Sequence, residues 1–263
     1  MDFPELQPFL AEPQRSALLF DIDGTLAPIV DDPAASAVPG RTRELLDALQ
    51  RRYGLVACIS GRQALEARRI VGLDSIAYVG NHGLEVLAPG AREVATDPEL
   101  APLGAAVKEF AQDAYKRGLA DLGVRLEDKD VIWAFHWRGV PDETAAREAV
   151  AEVASDADRH GLIPHWGRKV LEIRPPVPVD KGQAVRDLVQ RTSVRTALFG
   201  GDDVTDLDGF SALAALAEEG ALDHSVRVGV RSDEGPPEIL EQADLVVDGI
   251  EGFQRVLAVL VAA

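Results

Sequence analysis

Short apolar runs alternate with amphipathic stretches along most of this chain. The apolar runs predict buried strands at 17–22, 55–59, 76–79, 195–199, 225–230 and 245–247. Stretches with apolar residues at helical spacing predict helices at 41–52, 63–71, 181–190, 204–216, 237–242 and 250–261. Alternation of strand and helix is typical of an α/β fold with a doubly wound parallel sheet, and we expect that fold here.

The pattern changes between residues 98 and 178. There it predicts a helix, two strands, a second helix and two more strands, at 98–118, 124–126, 131–137, 141–160, 162–166 and 169–174. This order is typical of a separate, small α+β domain. We therefore expect a core formed by residues 1–97 and 179–263 and an inserted domain at 98–178, with hinges near 96–98 and 175–178.

Polar residues follow several of the predicted core strands at the point where each strand ends. These clusters are Asp21 with Asp23, residues 60–62 (SGR), residues 80–83 (GNHG) and residues 201–206 (GDDVTD). The carboxyl ends of parallel strands line one crevice in an open α/β sheet. We therefore expect the four clusters to form one site.

The run LLFDIDGTL at 18–26 places two carboxylates and a glycine after the first strand. Two carboxylates so close raise one pKa unless a cation lies between them, so the pair indicates a metal, acid/base chemistry or both. A simple Asp-Gly turn would explain the D-x-D spacing alone. The whole run resembles the nucleophile motif of the haloacid-dehalogenase superfamily of phosphatases and phosphotransferases. In that superfamily the first Asp attacks phosphorus and the second is the general acid/base.

That resemblance gives each carboxylate an expected role. Asp21 is the expected nucleophile, and Asp23 the expected general acid and base. Asp202, together with Asp21 and the backbone carbonyl of Asp23, is expected to bind Mg²⁺. Asp203 and Asp206 are expected to act indirectly, by holding the metal's ligands or by reaching the metal through a water molecule. The cluster at 201–206 could instead cap a helix, but its three carboxylates exceed what capping requires.

Two further residues are expected to act on the phosphate. Lys181 would neutralise the charge that the phosphate shares with Asp21, because a lysine at the start of a helix opposes the macrodipole and so indicates another role. Ser60 would offer a hydroxyl and a backbone N–H to the phosphate from a helix N-terminus. The same serine is equally suited to a plain N-cap.

Composition narrows the class of protein. The net charge of −17 argues against a nucleic-acid partner, because phosphate backbones would be repelled. No apolar run is long enough to span a membrane, and the N-terminal residues lack the pattern of a secretory signal, so we expect a cytoplasmic protein. The one cysteine, Cys58, excludes an internal disulfide, and its apolar surroundings predict an inert buried thiol.

Motifs through most of the chain resemble those of the trehalose-6-phosphate phosphatase family. They are DIDGTLAPIVDDP at 21–33, ISGR at 59–62, GNHGLE at 80–85, GVRLEDK at 123–129, HWR at 136–138, HWGRKVLEIRP at 165–175, KG at 181–182 and GDDVTD at 201–206. The resemblance implies a haloacid-dehalogenase fold with a mobile α/β cap. It also implies Mg²⁺-dependent hydrolysis of trehalose 6-phosphate to trehalose and phosphate.

The resemblance further implies which residues contact the substrate. These are Glu127, Lys129 and Glu172 in the cap, Arg62 and His82 at the mouth between core and cap, and Thr25 beside the nucleophile. His82 could also be a simple turn residue. The cap residues Glu127 and Lys129, with Arg138, could also form cross-strand ion pairs on a solvated face.

The chain departs from the family pattern at two places. Leu207 replaces a common carboxylate, and Gly200 stands where a larger apolar residue is usual. The motifs specify the chemistry more closely than the sugar, so sucrose phosphate, glucosylglycerol phosphate and mannosyl- or glucosyl-phosphoglycerate stay open as substrates. A catalytically silent sugar-phosphate sensor and a phosphoaspartate switch stay open as functions. The expected partner is a small sugar phosphate, acted on by a monomer, with a separate synthase supplying it.

Overall fold

The computed structural model describes residues 3–30, 35–167, 169–232 and 235–262. The chain forms two compact units, one of Met1–Ala95 with Val179–Ala263 and the other of Thr96–Pro178. The sequence places the first boundary two residues later, after residue 97, and the second at the same point. Residues 31–33 of the DIDGTLAPIVDDP motif, and Arg168 of the HWGRKVLEIRP motif, lie outside the described residues.

Apart from α1, β4 and β5, the strands and helices of the described residues follow the order that the apolar pattern predicts. The strands are β1 (Ser16–Phe20), β2 (Leu55–Ile59), β3 (Ala77–Gly80), β4 (Glu85–Leu87), β5 (Ala95–Thr96), β6 (Arg125–Lys129), β7 (Ile132–His136), β8 (Ile163–Gly167), β9 (Val170–Arg174), β10 (Thr196–Gly201), β11 (His224–Arg231) and β12 (Leu245–Asp248). The helices are α1 (Gln7–Ala11), α2 (Gly40–Gln50), α3 (Ala64–Val71), α4 (Leu100–Tyr115), α5 (Glu143–Arg159), α6 (Lys181–Gln190), α7 (Asp206–Glu218), α8 (Pro237–Gln242) and α9 (Gly249–Ala262). Among the described residues, no helix is both long and apolar enough to cross a bilayer.

The core sheet has the order β12-β11-β10-β1-β2-β3-β4-β5. Pairing is parallel from β12 to β3, and β4 is antiparallel to β3. All five residues of β1 are buried, which explains why its sequence is an uninterrupted run rather than an alternating one. Because β1 lies between β10 and β2, the loops that follow these three strands meet at one edge of the sheet.

Helices cover both faces of the core sheet. Leu18 and Phe20 of β1 pack with residues of α2, α3 and α9, whereas Ala17 and Leu19 pack with residues of α6, α7 and α8. Cys58 of β2 belongs to the first of these two apolar clusters and is fully buried. The doubly wound parallel sheet that the sequence predicts is therefore confirmed for the core.

The second unit contains an antiparallel sheet of order β6-β7-β9-β8. Alternate residues of its strands, including Phe135 and Leu171, pack against apolar side chains of α4 and α5. The remaining residues point to the other face, where Glu127, Ala134 and Glu172 are cross-strand neighbours in one row. This face carries the residues that the resemblance assigns to sugar binding.

The strands that carry the site differ in length from the predicted ones. The predicted strand at 17–22 ends at Phe20, because the backbone N–H groups of Leu26 and Ala27 both donate to the carbonyl of Ile22 and turn the chain. The predicted strand at 195–199 continues through Gly200 and Gly201. Glycine fits there because a Cβ on Gly200 would lie 2.5 Å from the ring of Phe253, and one on Gly201 would lie 2.4 Å from the side chain of Asp206.

Candidate active site

The centre of the site is Asp21, the residue that directly follows β1. Asp21 is only 4% exposed, and its backbone N–H donates to the carbonyl of Gly200 at 2.9 Å. Lys181 Nζ donates to Asp21 Oδ1 at 2.6 Å. The end of β1 is therefore tied through its backbone to β10 and through its side chain to the start of α6.

Three buried carboxylates converge at this point. Oxygen atoms of Asp21, Asp202 and Asp206 all lie within 4.8 Å of one another. Carboxylates this close repel each other in a buried site, and a divalent cation bound by their oxygens relieves that repulsion. The oxygen-only donor set suits a hard cation such as Mg²⁺ or Ca²⁺. The cluster therefore has the burial and the ligand chemistry of a metal site.

Gly24 and Thr25 bring the turn after β1 against Asp202. Gly24 has a φ of +93°, and a Cβ there would lie 2.2 Å from Asp202 Oδ2. The Thr25 hydroxyl donates to Asp202 Oδ1 at 3.4 Å. Only glycine combines this backbone conformation with so close an approach. The sequence analysis assigns Thr25 to substrate binding. In the structure its hydroxyl instead contacts a carboxylate of the cluster.

Asp206 orients the other members of the cluster. Its Oδ1 accepts from Lys181 Nζ at 2.6 Å. Its Oδ2 accepts from the backbone N–H groups of Asp202 at 3.0 Å and Asp203 at 2.9 Å. Both oxygens therefore already have protein donors, which suits a residue that positions Asp202 and Lys181. Among the described residues the cluster includes Asp206 but not Asp203, whose carboxylate accepts from the backbone N–H of Val204 at 2.7 Å.

Lys181 is the cation that the buried carboxylates share. It is 3% exposed and begins α6, where the side chain of Asp180 caps the helix by accepting from the backbone N–H of Gln183. Burial alone would lower the pKa of Lys181, but the charges of Asp206 and Asp21 outweigh it and raise that pKa. Lys181 therefore stays protonated at any physiological pH.

Burial raises the pKa of Asp21 well above its usual value. Lys181 opposes this rise, whereas the neighbouring charges of Asp206 and Asp202 add to it. A bound divalent cation would act in the same direction as Lys181 and favour the charged carboxylate. The charged form of Asp21 therefore depends on the cations beside it.

Asp23 lies outside this cluster and is held by a different cation. Arg62 donates from Nε to Asp23 Oδ2 at 2.6 Å and from Nη2 to Oδ1 at 2.9 Å, and Ser36 Oγ donates to Oδ1 at 3.2 Å. Arg62 also donates to Glu66 Oε1 at 2.6 Å. Burial alone would lower the pKa of Arg62, but its bonds to Asp23 outweigh burial and raise that pKa. Sequence reasoning assigns Arg62 to substrate and misses Ser36, whose loop position carries no motif.

Ser60 does not lie at a helix N-terminus, and that prediction is wrong. Helix α3 begins at Ala64 with Gln63 as its N-cap, four residues after β2 ends at Ile59. Ser60 is buried, its backbone N–H donates to the carbonyl of Val79 at 2.9 Å, and its Oγ accepts from the N–H of Arg62 at 3.2 Å. Residues 60–63 pair with the loop after β3 before the helix starts, which delays the first turn.

His82 packs directly against the loop that contains Ser60. Its backbone N–H donates to the carbonyl of Ser60 at 3.0 Å, and a Cβ on Gly61 would lie 2.7 Å from its ring. His82 has a φ of +60°, an uncommon conformation for a residue other than glycine. The structure therefore places His82 in a strained turn beside the site.

The predicted substrate residues of the second unit form ion pairs across its sheet. Lys129 Nζ lies 2.7 Å from Glu172 Oε1, and Arg174 Nη2 lies 2.7 Å from Glu172 Oε2. His136 Nε2 lies 2.6 Å from Glu127 Oε2, and this hydrogen bond lowers the pKa of Glu127. Lys129 is 8% exposed and its partner Glu172 5% exposed, so a solvated face is wrong for Lys129. Sequence reasoning missed His136 and Arg174 as their partners, although both lie within the quoted motifs.

Leu207 replaces a carboxylate without disturbing the cluster. Its side chain is partly buried and packs against the apolar cluster under α6 and α7. The carboxylate cluster is formed by Asp21, Asp202 and Asp206 and does not include this position. The substitution therefore adds apolar contact at the base of α7.

Comparison with known proteins finds relatives over most of the chain. The sequence model of the trehalose-phosphatase family matches residues 19–242. A trehalose-phosphate phosphatase of Mycobacterium marinum is 35% identical over 208 residues, which are 76% of this chain and 52% of that protein. The protein of the same name from Mycobacterium tuberculosis is 32% identical over 232 residues, 84% of this chain and 56% of that one. The chain thus spans about half the length of the curated relatives it matches.

Solved structures show the same fold. The C-terminal domain of C. albicans trehalose-6-phosphate phosphatase superposes with a TM-score of 0.81 at 24% identity, covering 99% of this chain and 97% of that chain. A trehalose-6-phosphate phosphatase of Aspergillus fumigatus superposes with a TM-score of 0.65 at 26% identity, covering 99% and 97%. A haloacid dehalogenase-like hydrolase from Bacteroides thetaiotaomicron, with a TM-score of 0.63, shares the fold at 14% identity. Taken with the buried aspartate cluster at the ends of β1 and β10, these matches show that the chain belongs to the trehalose-phosphatase family.

Proposed function

We propose that this protein hydrolyses trehalose 6-phosphate to trehalose and phosphate. The observation that carries the proposal is the buried Asp21, bonded to Lys181 at 2.6 Å beside Asp202 and Asp206. A phosphomonoesterase of this kind needs a nucleophile, cations around the phosphoryl group and an acid for the leaving oxygen. Membership of the trehalose-phosphatase family supports the choice of substrate.

The reaction proceeds in two steps. The Asp21 carboxylate attacks phosphorus, and an O–P bond forms as the bond from phosphorus to the sugar oxygen breaks. Asp23, in its protonated form, gives its proton to that sugar oxygen. Asp23 then takes a proton from the water that attacks the aspartyl-phosphate, which releases phosphate and restores the Asp21 carboxylate.

Mg²⁺ is the proposed cofactor. The carboxylates of Asp21 and Asp202 and the backbone carbonyl of Asp23 would hold it, with Asp206 and Asp203 supporting these ligands. When bound, the cation offsets the negative charge that the phosphoryl group brings to the buried carboxylates. Lys181 supplies a second, fixed positive charge between Asp21 and Asp206.

The remaining site residues bind substrate. Ser60 bonds a phosphoryl oxygen, and residues 98–178 act as a mobile cap that excludes water during the reaction. Glu127, Lys129 and Glu172 recognise the disaccharide, because carboxylates accept hydrogen bonds from sugar hydroxyls and an ammonium donates to them. Action as a monomer, in the cytoplasm and beside a separate synthase, stays a prediction of the sequence.

The test is release of inorganic phosphate from a panel of glycosyl phosphates, with Mg²⁺ and with chelator. The panel contains trehalose 6-phosphate, sucrose 6-phosphate, glucosylglycerol phosphate and mannosyl-phosphoglycerate. We expect metal-dependent release from trehalose 6-phosphate and none from the variant Asp21→Asn. Rapid release from another sugar phosphate alone would refute trehalose 6-phosphate as the substrate. Release from none of the compounds would refute the proposal that this protein is a phosphatase.

A further inference from the structure

A buried carboxylate outside the aspartate cluster joins two loops of the site. Glu85 is the first residue of β4 and is 4% exposed. Its Oε2 accepts from the backbone N–H of Ala64 at 2.7 Å, and its Oε1 accepts from Asn81 Nδ2 at 2.6 Å. One side chain therefore bonds both the start of α3, which follows the Ser60 loop, and the loop after β3.

Glu85 takes the place of a local cap for α3. The N-cap residue of this helix, Gln63, makes no side-chain capping bond. The first N–H groups of a helix need an acceptor, and a negative charge there also complements the helix dipole. Glu85, 21 residues further along the chain, supplies both.

The two loops that Glu85 joins are also paired through their backbones. The N–H of Asn81 donates to the carbonyl of Arg62 at 2.8 Å, and the N–H of His82 donates to that of Ser60 at 3.0 Å. Asn81 and His82 have φ values of +48° and +60°, which the surrounding contacts must stabilise. Arg62 in turn holds the carboxylate of Asp23. A continuous set of bonds thus runs from Glu85 to Ser60 and Arg62, and from Arg62 to Asp23.

We propose that Glu85 is a positioning residue for the phosphatase reaction. By accepting from Ala64 and Asn81 together, it sets where Ser60 meets the phosphate and where Arg62 holds Asp23. A carboxylate suits this role because it has two acceptor oxygens, and both of its partners present donors. The inference rests on the proposed function for its catalytic part, whereas the bond arrangement can be tested without it.

The first variant is Glu85→Leu, which fills a similar volume with a side chain that has no acceptor oxygen. Both bonds, from the N–H of Ala64 and from the NH₂ of Asn81, are lost. We expect kcat for trehalose 6-phosphate to fall at least about tenfold, with a smaller change in KM, because a misplaced loop mainly affects the chemical step. Thermal unfolding establishes that the variant is folded.

The second variant combines Glu85→Gln with Asn81→Asp. The exchange reverses donor and acceptor between the two side chains and leaves the amide oxygen of residue 85 to accept from Ala64. We expect kcat to return to within about threefold of the wild-type value. Full activity in Glu85→Leu, or an inactive double variant, would overturn the proposal.

The control is Asp244→Asn. Asp244 also accepts from a backbone N–H and a side chain, both of Arg227, but it lies at the amino end of β12, away from the strand ends that form the site. We expect its kcat to be unchanged. An equal loss of kcat in this control and in Glu85→Leu would mean that Glu85 acts only through overall stability, which also overturns the proposal.

Hydrogen exchange separates this inference from the proposed function. In Glu85→Leu the N–H groups of Ala64, Asn81 and His82 should exchange faster than in the wild type, and in Asp244→Asn they should not. If the wild type releases phosphate from no substrate, the function fails while faster exchange still supports the bond arrangement. Unchanged exchange at these three amides would overturn the inference whatever the activity.

Discussion

Replacing Lys181 with methionine removes the cation that the buried carboxylates share. Methionine fills a similar volume, so the main change is the loss of two 2.6 Å ion pairs, to Asp21 and to Asp206. Asp206 is fully buried and Asp21 is 4% exposed, so water cannot replace the lost partner. Breaking a buried ion pair by removing one member costs about 3–5 kcal/mol of unfolding free energy. We expect a loss in that range at pH 7 without metal.

The pH dependence of this loss has a definite sign. Without Lys181 the pKa of Asp21, already raised by burial, rises further, because its main opposing charge is gone. A carboxyl group with a raised folded-state pKa stabilises the fold by taking up a proton, so the variant should recover stability as pH falls from 7 to 5. The wild type keeps the contribution of Lys181 until pH rises through its raised folded-state pKa, which lies above the unfolded value of about 10.4.

The assay is denaturant unfolding of the wild type and the variant at pH 7 and pH 5, with chelator and with Mg²⁺. Lys116→Met is the control, because Lys116 pairs with Asp113 at 2.9 Å on an exposed surface and should contribute little. Mg²⁺ should restore part of the lost stability at pH 7. A loss in Lys181→Met no larger than in the control, or a loss that grows as pH falls, would refute the electrostatic account of the cluster.

Three further predictions concern the reaction itself. Asp21→Asn should abolish turnover and keep affinity for trehalose 6-phosphate, measured by calorimetry with Mg²⁺ present. Gly24→Ala should raise the Mg²⁺ concentration needed for half-maximal activity at least about tenfold, because the new Cβ would lie 2.2 Å from Asp202 Oδ2 at a φ of +93°. Glu127→Ala and Glu172→Ala should lower kcat/KM for the disaccharide far more than for a small aryl phosphate.

Each of these predictions has a result that contradicts it. Turnover by Asp21→Asn would exclude a covalent aspartyl-phosphate. An unchanged Mg²⁺ requirement in Gly24→Ala would mean that Asp202 does not bind the metal. Gly220→Ala serves as the control, because the space around its Cβ position is open. Equal losses on both substrates would make Glu127 and Glu172 structural rather than specificity-determining.

The sequence predicts the core fold well because its signals are local. Continuous apolar runs define the buried strands, and the helices at 181–190 and 237–242 have the predicted limits because Asp180 caps the first and Pro236 and Pro237 begin the second. The polar clusters after β1 and β10 meet because parallel strands align their carboxyl ends. The same logic anticipates that Asp21 and Asp202 are close.

The rest of the site depends on contacts between distant residues, which local patterns do not contain. Ser60 lies three residues before Gln63, the N-cap of α3, and it is Glu85 that accepts the first helix N–H. Arg62 reaches Asp23 across 39 positions of the chain, and no motif spacing specifies that bond. Glycine fits at the end of β10 because Gly200 lies against the ring of Phe253 and Gly201 against the side chain of Asp206, and the local sequence does not show the contact with Phe253.

Cys58 gives this protein a built-in reporter of core opening. The thiol lies in β2 next to β1 and is buried in the apolar cluster formed with residues of α2, α3 and α9, so a reagent can reach it only after this face of the core sheet opens. Burial raises the pKa of the thiol, which further suppresses its reaction in the folded state. The apolar cluster around it is formed by residues of the first unit, so unfolding of the second unit alone leaves it protected. The rate of thiol labelling in the unmodified chain therefore measures the free energy of opening the catalytic sheet, separately from any motion of residues 96–178.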